Sequence, residues 1–193
     1  MKGQTPLFSK ANNEWETPNT FFDILNTEFE FDIDAAANQY NTKCKFYFDD
    51  ALNLPVAWNN TGVVYNEKHP NKKHIFLNPP YSLVELFLKQ AYEESKQGAI
   101  IVCLIPTRSD TGYWHKYCME AYEIRFVKGR LKFTNRTKRA DEITSATFPS
   151  SVIIFDEQKK QLAQSTQKEG TVWHPIISSM ERGVKYRGRK CKT

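Results

Sequence analysis

The chain has 193 residues, 40% of them hydrophobic and 13% aromatic, with a formal net charge of +5, a size that suits one domain with a substantial core. It has no apolar run long enough to span a membrane, and its polar start, Met1-Lys2-Gly3-Gln4, has no signal-peptide pattern, so a soluble intracellular protein is expected. The charge is uneven: Lys128 to Arg139 and Arg182 to Thr193 are both rich in Lys and Arg and free of acids, while the remainder is mildly acidic, which points to a polyanion partner.

Met1 to Glu14 shows little pattern and reads as an arm. Trp15-Glu16-Thr17-Pro18 then leads into a helix, with Thr17 expected as N-cap, Pro18 at the first helical position, and Phe21, Phe22 and Leu25 on an apolar face. Phe29 to Asp34 alternates apolar and polar residues and predicts a strand. Asp32 and Asp34 are costly to bury on a central strand, so either the strand lies at an edge or the acids meet a polar ligand. Ala35-Ala36-Ala37 follows, and small side chains there let a ligand approach the backbone, although the chain has no Gly-x-Gly signal. A short strand at Lys45 to Phe48 ends in Asp49-Asp50, which suits ribose hydroxyls or an adenine amine as well as it suits a solvated turn. Gly62 to Tyr65 is a possible strand within a polar stretch. His69 and His74 sit in that stretch without ligand spacing, and surface positions are expected for both. Cys44, Cys103, Cys118 and Cys191 are scattered, which predicts reduced thiols and no metal site.

Next comes an apolar run, Ile75-Phe76-Leu77, then Asn78-Pro79-Pro80-Tyr81, then Ser82-Leu83-Val84-Glu85, which reads as a capping box with Ser82 as N-cap. The tetrapeptide therefore sits at the carboxyl end of a strand, where open α/β sheets place ligand chemistry. Asn78 can accept a hydrogen bond from an exocyclic amine. The two prolines fix the backbone and leave carbonyl acceptors without competing N–H donors. Tyr81 offers a flat ring to a planar substrate. Leu83, Leu86, Phe87 and Ala91 form a helical stripe that Gly98 stops. Ala99 to Ile105 is a buried parallel strand ended by Pro106, followed by a short helix around Trp114. Glu123 to Val127 and Ser151 to Phe155 are strands, and polar residues and a basic tail close the chain. Strands alternating with helices predict a three-layer α/β sheet, and the consecutive final strands predict an antiparallel edge.

Four blocks occur in order: Trp15-x-Thr17-Pro18, Phe31-Asp32-x-Asp34-Ala35-Ala36, Asn78-Pro79-Pro80-Tyr81 and Gly129-Arg130-Leu131-Lys132-Phe133. Together they resemble the phage-type DNA N-6-adenine methyltransferase family from about Glu14 to Phe155, with further matches at Pro106, Thr111, Trp114-His115 and Phe148-Pro149-Ser150. The link from Thr61 to His74 is longer than is usual in that family. The resemblance implies a class I methyltransferase-like (Rossmann-like) mixed sheet, with a methyltransferase domain over residues 15–158, an arm before it and a polar, basic tail over residues 159–193. It also implies S-adenosylmethionine as methyl donor, DNA as partner, and the cytoplasm of a bacterial host carrying a phage or prophage, in a restriction-modification setting or another.

Residue by residue, the resemblance places Trp15, Thr17, Pro18, Asp32, Asp34, Ala35 and Ala36 along the cofactor, with Asp34 on the methionine amino group and Asp49 or Asp50 on the ribose or adenine. Asn78, Pro79, Pro80 and Tyr81 would be catalytic, acting on a flipped-out adenine. Arg108, Trp114, Lys128, Arg130, Lys132 and Arg136 would contact DNA. Two other readings compete: a methyltransferase acting on another planar amine (an RNA base or a protein glutamine) and a catalytically silent DNA-binding protein. Glutamine enzymes carry a glycine-rich cofactor loop where this chain has Asp34-Ala35-Ala36-Ala37, and the intact tetrapeptide argues against a silent module.

Overall fold

A computed structural model describes residues 16–54, 57–58, 72–133, 145–167 and 174–180 of the chain. Seven strands, β1 (Ile33–Asp34), β2 (Phe46–Tyr47), β3 (His74–Leu77), β4 (Ile100–Pro106), β5 (Glu123–Val127), β6 (Ser150–Phe155) and β7 (Ile176–Met180), form one sheet in the order β2-β1-β3-β4-β6-β5-β7. Among the described residues the α-helices are α1 (Asn19–Phe29), α2 (Val84–Lys96), α3 (Gly112–Lys116) and α4 (Glu157–Ser165). β4 explains the layering. Its Ile101, Cys103 and Ile105 pack with Val84, Phe87 and Leu88 of α2 and Trp114 of α3, whereas Ile100, Val102 and Leu104 pack with Phe21, Phe22, Leu25 and Phe29 of α1. A strand covered on both faces needs a continuous apolar run, and this one has it. The result is the expected three-layer α/β sheet.

β2, β1, β3 and β4 run parallel, with Ile33 opposite Ile75 and Ile75 opposite Ile101. Their carboxyl ends therefore share one edge, which is where Asp34, Asp49 and Asn78 emerge. β6 is antiparallel to both β4 and β5, while β7 is parallel to β5. The antiparallel pairing that the consecutive final strands predict is present on this side of the sheet, with the reversed strand, β6, set between β4 and β5 and its Val152, Ile153 and Ile154 buried. β7 also carries the sheet past residue 158, where a polar tail was expected.

Other expectations change locally. Phe29 completes the α1 apolar face, so helical spacing prevails over alternation there. Glu30, in the left-handed region at φ 49°, closes the helix with its N–H on the Asn26 carbonyl, and only Ile33–Asp34 remains as strand. Pro18, not Thr17, is the N-cap; its carbonyl accepts from the Phe21 and Phe22 amides. Leu83, not Ser82, is the N-cap of α2, because the chain first turns through a 3-10 segment, Tyr81–Leu83, closed by the Leu83 N–H on the Pro80 carbonyl at 2.8 Å. Gly98 does stop α2, at φ 99°. His74 is buried rather than at the surface, since it opens β3 and its ring Nδ1 bonds the Phe29 carbonyl. The arm, Gly62 to Tyr65, His69, Cys191 and the basic tail lie outside the described residues.

Candidate active site

A pocket of about 450 Å³ opens at the carboxyl edge of the parallel strands. It brings together Thr17, Asp34, Ala36, Asp49, Asp50, Asn78 and Pro80, which come from four separate places in the sequence. Its lining combines polar residues, Glu16, Asn38, Asn41 and Lys43, with apolar ones, Phe48, Leu52, Leu83 and Phe87.

Asp34 is the last residue of β1 and is only 4% exposed. One carboxylate oxygen accepts the Lys43 backbone N–H at 3.1 Å, and the other accepts the Ala36 N–H at 3.4 Å. Burial pushes its pKa up to about 6, even though these two hydrogen bonds and the Lys43 charge pull the other way. An acid in that state gains from a cation arriving beside it. Nearby, the Thr17 hydroxyl is buried and has no partner among the described residues. Asp49 and Asp50 stand exposed at the rim, and Asp50 accepts the Asn53 side-chain amide at 2.8 Å.

Three cofactor candidates sit behind the pocket. The Asp32 carboxylate accepts the His74 backbone N–H at 3.0 Å and so ties β1 to β3. Ala35 is buried in the core, its N–H on the Phe76 carbonyl at 2.9 Å. Pro18 serves as the α1 cap. Pro79 is buried within the tetrapeptide. Tyr81 is half-buried beside it, and its ring meets Phe148 edge-on at 5.0 Å and 89° and Phe133 at 6.4 Å and 82°. The Tyr81 hydroxyl is buried with no partner among the described residues, and burial pushes its pKa up.

On the far flank, Lys128, Arg130 and Lys132 are exposed just past the carboxyl end of β5, and Arg108 is half-exposed after β4. Trp114 is different. At 3% exposure it is a core residue stacked near Phe126, at 6.4 Å and 20°, so the expectation of a DNA contact there is corrected: its ring has no free face at the surface. Trp15 and Arg136 lie outside the described residues. Sequence reasoning missed Lys43, whose position nine residues after Asp34 carries no signal until the chain turns back. It also read Phe87 as helix packing alone. Among the described residues, no group of three His, Cys, Asp or Glu side chains is placed to hold a metal, and no helix is long and apolar enough to cross a membrane.

Comparison with known proteins points the same way. The chain is 28% identical over 118 residues to the DNA N-6-adenine-methyltransferase of Escherichia phage T1, an alignment covering 61% of this chain and 45% of that protein. It is 24% identical over 161 residues to the DNA N-6-adenine-methyltransferase of Haemophilus phage HP1 (strain HP1c1), covering 78% of this chain and 86% of that protein. The family described as DNA N-6-adenine-methyltransferase (Dam) matches residues 4–180, beyond the expected Glu14 to Phe155 at both ends. On that match, which spans nearly the whole sequence, the chain belongs to the DNA N-6-adenine-methyltransferase (Dam) family.

Proposed function

We propose that this protein transfers a methyl group from S-adenosylmethionine to the N6 of adenine in DNA. The observation that carries the reading is the single pocket, in which the acids at the ends of β1 and β2 and the Asn78 loop at the end of β3 share one space. The cofactor fits the donor set. A buried Asp34 carboxylate suits the methionine ammonium, and the orphaned Thr17 hydroxyl has a partner to gain. Asp49 or Asp50 suits ribose hydroxyls or the adenine amine, and Phe48, Leu52 and Phe87 suit a flat base. Bound there, the cofactor supplies a methyl group already activated as a sulfonium.

The chain's own residues then have to make a poor nucleophile competent. The N6 lone pair of adenine is delocalised into the ring. The Asn78 side-chain oxygen and the Pro79 carbonyl accept hydrogen bonds from the amine and favour a tetrahedral nitrogen with a localised lone pair, and Tyr81 steadies the ring. Positioning supplies much of the remaining rate, so no strong base and no cysteine nucleophile is required. Because the amine is engaged in pairing, the adenine is extruded from the duplex before it reacts. Lys128, Arg130 and Lys132 hold the phosphates flanking it, a charge pattern that favours a nucleic acid over a protein glutamine.

The test is transfer of isotopically labelled methyl from S-adenosylmethionine to a defined unmethylated duplex, followed by nucleoside mass spectrometry and single-base mapping. N6-methyladenine is the expected product. Label found only on cytosine, on RNA or on protein would overturn the assignment, and mapping would show whether a recognition sequence exists.

A further inference from the structure

The segment from Lys128 to Phe133 is built as a lever between the surface and the tetrapeptide. Its exposure alternates: Arg130 and Lys132 face outward, while Leu131 and Phe133 are each 3% exposed and packed in the core on the α1 side. Its backbone is held at two points, by the Lys128 N–H on the Met180 carbonyl at 2.9 Å and by the Leu131 carbonyl, which accepts the Ala146 N–H at 2.8 Å. Its inner end touches the candidate catalytic loop, since the Phe133 ring meets Tyr81 edge-on at 6.4 Å and 82°. Tyr81 has no hydrogen bond at its hydroxyl among the described residues, so packing rather than polar contact orients the ring.

We infer that Phe133 is a positioning residue for Tyr81 and that it couples docking of the DNA backbone on Arg130 and Lys132 to the orientation of the ring that receives the adenine. The inference rests on the proposed adenine methyl transfer. A pull on the backbone through the cations at 130 and 132 is passed to Leu131 and Phe133, because these neighbours are buried and close-packed interiors transmit strain. An edge-to-face aromatic pair is directional enough to pass that on. Phe133 touches no reacting atom. Its removal should therefore change how well Tyr81 stacks and leave cofactor and DNA affinity alone.

The experiment compares Phe133→Leu and Phe133→Met with Phe29→Leu, a substitution in the same core but away from Tyr81. DNA is a duplex in which one adenine methylated by the wild-type enzyme is replaced by 2-aminopurine, whose fluorescence rises on extrusion and falls on stacking. The Phe133 variants should lower the methyl-transfer rate at saturating unmodified DNA by about two- to tenfold, the range expected from one aromatic pair. KM for DNA and calorimetric affinity for S-adenosylhomocysteine should stay near wild type, and bound 2-aminopurine should be brighter because it stacks less well. Phe29→Leu should lower Tm comparably without changing rate or fluorescence. The inference is overturned if folded Phe133 variants match wild type in both readouts, or if Phe29→Leu reproduces their effects. Failure of the wild-type protein to methylate adenine at all would instead overturn the functional reading itself.

Discussion

Asn78 and Asp34 line the same pocket, and the proposed function gives them separable work that their variants should separate. Asn78→Ala removes the proposed acceptor for the substrate amine, and one group of that kind is worth on the order of a hundredfold in rate. Methyl transfer should fall by about that factor while calorimetric binding of S-adenosylhomocysteine persists; near-normal turnover would take Asn78 out of the mechanism. Asp34 adds a pH signature. Its pKa, raised by burial to about 6, means the ligand-free fold favours the protonated acid, so this residue contributes stability at low pH that is lost as pH rises between about 4 and about 6. An ammonium ligand needs the carboxylate. Affinity for S-adenosylhomocysteine should therefore climb with pH through about 6 and level off above about 7. In Asp34→Asn it should be weaker and nearly flat over that range. An equal slope in both proteins would assign the titration to another group.

The basic segment after β5 shows how an element can be legible in sequence while its role is only half so. Replacing Arg130 and Lys132 with Ala should lower the slope of log affinity against log salt by about two, roughly one per phosphate contact, and should also slow turnover at saturating DNA. An unchanged slope would mean these cations face away from the duplex. The acid-rich strand ends and the tetrapeptide were legible because each combines a local pattern with a chemistry that few other patterns share. β4 was legible for a simpler reason: seven consecutive residues are buried, so nothing competed with the reading. What failed did so where two local rules competed. Phe29 satisfies both alternation and the α1 stripe, and packing against Phe31 at 5.7 Å is a tertiary fact. Ser82 read as the cap position, but the 3-10 turn over Tyr81–Leu83 moves that position to Leu83. β7 was missed because Ile176 to Met180 is largely exposed and, among the described residues, pairs with β5 alone, so its sequence carries little of the apolar signal that marks an interior strand. α4 had a readable start in Asp156, whose carboxylate accepts the Lys159 N–H at 3.1 Å, but too little apolar periodicity to be recognised as a helix.

One side chain joins the two flanks on which the site depends. Arg125, on β5 and 4% exposed, donates two hydrogen bonds of 2.6 Å to Glu28 on α1 and two, of 2.9 and 3.0 Å, to Glu123 on its own strand. Ser178 of β7 donates to the same Glu123 carboxylate at 2.6 Å. The helix that follows Thr17-Pro18 is thereby tied directly to the strand that leads into the basic segment. Burial alone would push the Glu123 pKa up, but the hydrogen bonds from Arg125 and Ser178 outweigh it and leave the value below normal. Wild-type Glu123 therefore contributes stability that is present above its unfolded pKa and lost as pH falls through its lower folded value. Arg125→Ala strands that carboxylate in the interior and should cost about 3–5 kcal/mol in urea unfolding at pH 7. Glu28→Gln should cost much less, because Glu28 is 39% exposed and Arg125 keeps Glu123. In Arg125→Ala the unpaired acid prefers its proton, so the deficit against wild type should narrow as pH falls from 7 to 5. Adding Glu123→Ala to Arg125→Ala should recover part of the loss, since the stranded charge is gone. A deficit that is constant with pH, with strictly additive losses in the double variant, would mean the guanidinium acts through packing alone and the two flanks are not held together by charge.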